Sequence, residues 1–185
     1  MGLVIFDAAA TLNGFLADER GSLDWLFAVP GADGASGELI PTGATVIVEG
    51  STTYQWVLDH ERLLEEPEKW REFFGQKPTY VFTSRSLPVP AGADVRFVSG
   101  PVADVFPAIR STAGEGDIWI AGGGDLVAQF MEAGLVDQIA VSIAPATVAS
   151  GAPLLPRAFG PDRLELRSAH AVGQFARLVY AVRKN

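Results

Sequence analysis

The stretch with the clearest capacity for chemistry is Ile118-Trp119-Ile120-Ala121-Gly122-Gly123-Gly124-Asp125-Leu126-Val127: a short apolar run, three glycines, then a helix-forming segment. Backbone N–H groups with no Cβ above them can approach an anion closely, and a helix start adds partial positive charge, so a diphosphate fits such a turn. A tight strand-to-helix turn with no ligand would use the same residues. The spacing is not G-x-G-x-x-G, and no Gly-Lys-Ser/Thr of a P-loop is present. Thr83-Ser84-Arg85 places two hydroxyls beside a guanidinium able to grip a phosphate, although an Arg after a strand is also ordinary surface. In Gly50-Ser51-Thr52-Thr53-Tyr54 a glycine precedes hydroxyls that serve an anion or simply cap a helix. All three turns follow short apolar runs, which puts them together on the carboxyl edge of a parallel sheet, where open α/β folds bind ligands.

Other chemistries find little support. The 185 residues include no Cys, which removes disulfides, thiolate nucleophiles and Cys-ligated metals. His60 and His170 have no second ligand at a metal-binding spacing, so no metal site is expected, and no G-x-S-x-G elbow occurs. A formal charge of −8 repels nucleic acid and anionic membrane surfaces. The N-terminus lacks the basic flank of a signal peptide, and no apolar run approaches the roughly 20 residues of a membrane span. A cytoplasmic chain forming one domain over residues 1–185 is the expectation.

The elements that must position these turns follow from patterning. Leu3 to Phe6, continuing into Ala8-Ala9-Ala10, reads as a central strand buried on both faces. Residues 11–21 read as a long irregular loop, and Ser22 as the cap of a helix through Leu23-Asp24-Trp25-Leu26-Phe27. The Pro- and Gly-rich residues 30–43 read as a mobile connection. Thr45–Glu49 is the next strand, with Glu49 read as a solvated strand-end residue, and a helix begins near Ser51. Leu63–Phe74 is a surface helix interrupted at Pro67. Thr79–Thr83 and Arg96–Ser99 are strands, and Pro101 opens a helix. Asp117–Ala121 is a buried strand, Asp125–Ala133 a helix closed by Gly134, and Gln138–Ile143 a strand. Pro145–Pro161 reads as a loop, and Leu164–Arg167 with Phe175–Arg183 as an antiparallel pair. The fold class is α/β, with a mostly parallel sheet and an antiparallel C-terminal edge.

Ala9-Ala10-Thr11-Leu12-Asn13-Gly14-Phe15-Leu16-Ala17, Gly21-Ser22-Leu23-Asp24-Trp25-Leu26, the three turns, Glu132-Ala133-Gly134-Leu135-Val136-Asp137, and Pro145 through Gly151-Ala152-Pro153-Leu154 occur in this order over nearly the whole chain. In this order they resemble the dihydrofolate-reductase-like family, specifically the reductase domain of the bifunctional riboflavin biosynthesis deaminase-reductase and its stand-alone bacterial relatives. The resemblance implies a three-layer sandwich around an eight-stranded sheet that binds NADPH along its carboxyl edge. It implies that Gly122, Gly123, Gly124, Asp125 and Leu126 cradle the pyrophosphate. Ser84 and Arg85 would meet the adenosine 2′-phosphate and adenine, Gly50 and Thr53 would line the same groove, and the Ala9 backbone and Leu16 would flank the nicotinamide. It further implies a homodimer, and the apolar closing strands, with Phe175, Leu178, Val179, Tyr180 and Val182, fit either a dimer edge or the core of one copy.

Three departures from the family pattern bear on function. Ser51 stands where Arg usually follows the glycine, Glu49 where an apolar residue precedes it, and Asn13 where the loop normally carries Asp. The first two open NADH as a cofactor besides NADPH. The expected activity is hydride transfer from NAD(P)H to a pyrimidine-, pteridine- or glycosylamine-like small molecule, as in 5-amino-6-(5-phosphoribosylamino)uracil reductase. The alternative is a nucleotide- or ligand-binding protein that kept the groove and lost turnover. Asp24, Asn13 and Thr11 are the polar candidates at the substrate, and Asp24 serves equally as a first-turn acid of its helix.

Overall fold

Apolar runs form the interior strands of an eight-stranded sheet in a computed structural model that describes residues 1–32, 41 and 43–184. In chain order the elements are β1 (Val4–Thr11), β2 (Phe15–Asp18), α1 (Asp24–Phe27), β3 (Ala44–Gly50), α2 (Ser51–His60), α3 (Glu68–Phe74), β4 (Thr79–Phe82) and β5 (Val95–Val98). They continue with α4 (Val102–Ala113), β6 (Asp117–Gly122), α5 (Gly124–Glu132), β7 (Gln138–Ala144), β8 (Gly151–Pro153), β9 (Leu164–Val172) and β10 (Phe175–Val182). The sheet order is β5-β4-β3-β6-β1-β7-β10-β9, parallel through β7 and antiparallel over the last two strands. The connection read over residues 30–43 falls largely on residues outside the described ones.

Alternation along each strand divides the core into layers. Val4, Phe6, Val46, Val48, Ile118 and Ile120 face α4 and α5, where Ile109, Val127 and Phe130 close over them. On the opposite side Val81 packs with Tyr54, Leu58, Leu63 and Trp70 under α2 and α3, while Val29 and Phe175 gather around Ala144 with Trp25 and Leu26 of α1. The result is a three-layer α/β sandwich of the expected class.

Two segments read as loops contain strands. β2 and β8 pair antiparallel as a separate two-stranded sheet, and the Leu154 N–H donates to the Gly14 carbonyl at 2.9 Å. Both strands are short and carry Gly, Pro or Asp, so no alternation marks them, and each is fixed by a partner more than 130 residues away. β10 lies inside the sheet between β7 and β9. Its apolar residues, including buried Phe175 and Val182, therefore complete the core of one copy and say nothing about pairing between copies. The outermost strand is β9, whose side chains from Arg167 to Ala171 are exposed.

One charged cluster crosses this interior. Asp7 of β1 and Arg177 of β10 are both buried and form a two-pronged ion pair, with Nη1 donating to Oδ1 at 2.6 Å and Nη2 to Oδ2 at 2.5 Å. Nη1 also donates to the Ser142 hydroxyl of β7 at 2.9 Å. Burial pushes the Asp7 carboxyl above its ordinary range, opposed by the hydrogen bonds and charge of Arg177. The cluster ties three strands together on the α1 side. Arg177→Met should destabilise the fold by about 3–5 kcal/mol near neutral pH, because a buried carboxylate is left without its counter-charge. The deficit should shrink on acidification as Asp7 takes up a proton; urea unfolding across pH measures this, and a loss that does not depend on pH would contradict it.

Candidate functional site

β1 and β6 are paired only from Val4 opposite Ile118 to Phe6 opposite Ile120. Beyond that rung β1 stays on β7 as far as Thr11 opposite Ala144, while β6 stays on β3 as far as Gly122 opposite Glu49. The strands therefore part at the carboxyl edge, with Ala8 and Ala9 on one side and Ala121 on the other. Ala8 and Ala9 are half-buried where the strand interior is closed. The first carbonyl past the last rung, that of Asp7, accepts a hydrogen bond from the Trp119 indole at 3.1 Å, so the parting leaves it satisfied.

The glycines bring two of the turns together at the end of this parting. Gly122 has φ +154°, and a Cβ there would stand 3.0 Å from the Thr53 hydroxyl. At Gly124 a Cβ would lie 2.4 Å from the Pro153 carbonyl oxygen, so only glycine lets the start of α5 pack against the chain after β8. A Cβ on Gly50 would meet only Gly123 N and Gly122 O, at 3.8 and 4.0 Å, and one on Gly123 only Thr53, at 3.9 Å. Side chains at either position would fill the space between the turns, which is the cradle a diphosphate needs. Asp125 and Leu126 follow in the first turn of α5, Asp125 exposed and Leu126 buried.

The third turn joins them through Arg85. Its Nη2 donates to Ser51 Oγ at 3.0 Å and to Gln55 Oε1 at 2.8 Å, and its backbone N–H donates to Thr83 Oγ1 at 2.9 Å. A cation from the turn after β4 thus lies beside position 51, tethered to α2 by two side chains. Ser51 Oγ and Gln55 Oε1 each accept from Arg85, and among the described residues the Ser51 hydroxyl proton and the Gln55 amide protons have no side-chain hydrogen-bond partner. Ser84 is exposed beside them. Sequence reasoning found Arg85 and missed Gln55, which only the first turns of α2 bring within reach.

On the α1 side, Thr11 is buried at the end of β1, where its hydroxyl donates to Asn13 Oδ1 at 2.9 Å and accepts from Phe15 N–H at 3.0 Å. Asn13 in turn donates to the Val148 carbonyl at 2.7 Å. These two side chains lock the turn between β1 and β2 to the segment before β8, and Leu16 of β2 packs on the main core. Asp24 is exposed, in a helix of four residues, with its N–H bonded to Ser22 Oγ at 3.0 Å. Nearby, Phe27, Trp56 and His60 face one another across the gap between α1 and α2 with ring planes within 14° of parallel and centroids 4.4–6.2 Å apart. Trp56 and His60 stand four apart on α2, and Phe27 joins them from α1, a pairing no motif flagged.

Glu49 is not solvated. It is 3% exposed, between Val81 of β4 and Gly122 of β6, because α2 turns back over the end of β3 and lays Tyr54 near it. Burial pushes its carboxyl up to about 8, so it is mainly protonated at neutral pH. Burial and the nearby Glu49 also raise the Tyr54 phenol. A buried, neutral Glu49 is not the exposed carboxylate that would accept the ribose 2′-hydroxyl of NADH.

Comparison with known proteins bears on the family and the fold. Residues 3–176 match the family model described as the RibD C-terminal domain. The uncharacterized protein YwjB of Bacillus subtilis is 30% identical over 173 residues, covering 93% of each chain. A Shewanella sp. PV-4 structure ascribed to riboflavin biosynthesis shares the fold over all of both chains, with a TM-score of 0.73 at 23% identity. Dihydrofolate reductase from Enterococcus faecalis, solved with NADP(H), covers 100% of this chain and 97% of its own, with a TM-score of 0.61 at 15% identity.

Protonation of Glu49 makes stability depend on pH. Its carboxyl is raised from 4.5 unfolded to about 8 folded, so its contribution is complete below the unfolded value and lost as pH rises through about 8. Glu49→Gln should flatten the fall in melting temperature between about pH 5 and about pH 9. An unaltered slope in that variant would show that the carboxyl is ionised or solvated in the fold.

Proposed function

This chain belongs to the family of RibD C-terminal domains, and on that premise we propose that it is an NADPH-dependent reductase of a small, planar, conjugated substrate. The observation that carries the reading is the parting of β1 from β6 directly beside the paired glycine turns. Such a crevice accepts a flat ring between two strands while its neighbouring N–H-rich turn takes the charged linkage. When bound, the reduced nicotinamide supplies a hydride. The Ala9 backbone and Leu16 would hold its ring, Gly122, Gly123, Gly124, Asp125 and Leu126 the diphosphate, and Gly50, Thr53, Ser84 and Arg85 the adenosine end.

NADPH is favoured over NADH by what surrounds Arg85. Arg85 brings a guanidinium to this turn with the Ser51 hydroxyl and the Gln55 amide beside it, and a cation among further donors suits a phosphate. Membership of the RibD C-terminal domain family supports a conjugated ring as substrate, of the pyrimidine or pteridine kind. Orientation of that ring against the cofactor is the protein's main contribution to rate. Thr11 and Asn13 are engaged with each other and with Val148, which favours their acting as the frame of the site, and leaves Asp24 as the carboxylate at hand for a proton. That same exposure of Asp24 favours a second reading, a ligand-binding protein with the groove and no turnover. A homodimer belongs to the proposal through the family resemblance, and sedimentation near twice 19.6 kDa would support it.

Quenching of protein fluorescence should show tighter binding of NADPH than of NADH. Arg85→Gln should weaken NADPH about tenfold or more, the share of one charge-assisted contact, and leave NADH nearly unchanged. Equal losses for both nucleotides would remove the 2′-phosphate from Arg85. If turnover of a pterin or aminopyrimidine is detected, Asp24→Asn should lower it by about 10²–10⁴-fold with nucleotide affinity intact. A normal rate with a lowered melting temperature would make Asp24 a helix-end residue only.

A further inference from the structure

Asp125 presents an electrostatic difficulty. Hydrogen bonds from Gln129 Nε2, at 2.9 Å, and Arg157 Nη2, at 2.7 Å, hold its carboxyl below the usual range, so it is ionised. It follows Gly124 directly, in a chain of net charge −8. An ionised carboxylate there opposes a dianionic diphosphate unless a cation accompanies it.

The accompanying cation is Arg157, a residue that the glycine pattern does not reveal. It is delivered by the segment after β8, which lies so tightly on the first turn of α5 that the Pro153 and Leu154 carbonyl oxygens come within 2.4 and 2.6 Å of where a Cβ of Gly124 would be. Its Nε lies 3.4 Å from Glu132 Oε1, one Nη2 proton goes to Asp125, and among the described residues Nη1 makes no hydrogen bond. The planar fork is therefore oriented by two carboxylates while part of its donor set stays available.

We propose that Arg157 is a second phosphate-binding cation of the dinucleotide groove, with Asp125 as the residue that positions it. The proposal rests on the NAD(P)H reading of the groove. It assigns Arg157 to the diphosphate from the α5 side of the glycine turns, where Arg85 stands on the α2 side, so NADPH and NADH should depend on it alike.

The test is a set of NADPH and NADH titrations, read by protein fluorescence, on the wild-type chain and on Arg157→Gln, Asp125→Asn, the double variant and Arg157→Lys. Contact with phosphate predicts that Arg157→Gln loses about tenfold or more for both nucleotides, that the double variant stays as weak, and that Arg157→Lys recovers most of the loss. Full recovery in the double variant would mean that Arg157 merely neutralises Asp125, and overturns the proposal. So would wild-type affinity in Arg157→Gln. Melting temperatures without nucleotide check that each variant is folded. A wild-type chain that takes up neither nucleotide would overturn the cofactor reading itself, a result distinguishable from failure of Arg157 alone.

Discussion

A parallel sheet is stable because each interior strand satisfies its backbone on both sides, and the parting of β1 from β6 breaks that rule at the centre of the molecule. After Phe6 and Ile120 the two strands share no ladder, yet each remains paired on its outer side. The consequences are handled locally. Trp119 satisfies the Asp7 carbonyl, and the Asp7 side chain is anchored through Arg177 to β7 and β10. One residue thus ties the crevice to the sheet interior by its main chain and its side chain together. Two groups of residues assigned to function border the opening that results, the alanines of β1 and the glycine turns after β3 and β6.

Charge is distributed with the same logic. The chain is acidic overall, but Arg85 stands at the turn after β4, Arg157 stands beside the start of α5, and two acids next to the glycine turns are neutralised or paired. Glu49 is buried and largely protonated, and Asp125 is paired with Arg157. Arg85 is held by Ser51 and Gln55 beside the place where an arginine would ordinarily follow Gly50. An acidic protein can in this way take an anionic ligand through local fields that differ in sign from its net charge.

The layers, the sheet class and the three turns at the carboxyl edge were legible in the sequence because each rests on local signals: apolar runs for interior strands, glycines where backbones approach, hydroxyls at helix starts. What could not be read depends on contacts distant in sequence. β2 and β8 are too short to alternate and exist through each other. The ring stack of Phe27, Trp56 and His60 joins two helices that no pattern pairs. Asp7 carried a signal in being a charge inside an apolar strand, which demands a partner, but nothing in spacing identifies Arg177, 170 positions away. Glu49 misled for the complementary reason: at the end of a strand it looked solvated, and the covering Tyr54 comes from a helix that folds back over it.

The central claim is that a nicotinamide dinucleotide lies along this crevice with its charged linkage over the glycine turns. Its most direct test is NADPH affinity in Gly50→Val. The backbone there is extended, with φ −84° and ψ 159°, and a Cβ meets nothing closer than 3.8 Å, so the side chain starts in open space, and a melting temperature taken without nucleotide checks that the variant is folded. The isopropyl group would occupy the space between Gly50 and Gly123. The account predicts that NADPH binding, measured by titration calorimetry, is abolished or weakened by at least about a hundredfold, since the charged linkage would lose several charge-assisted bonds together. Wild-type affinity in a folded Gly50→Val protein would contradict it.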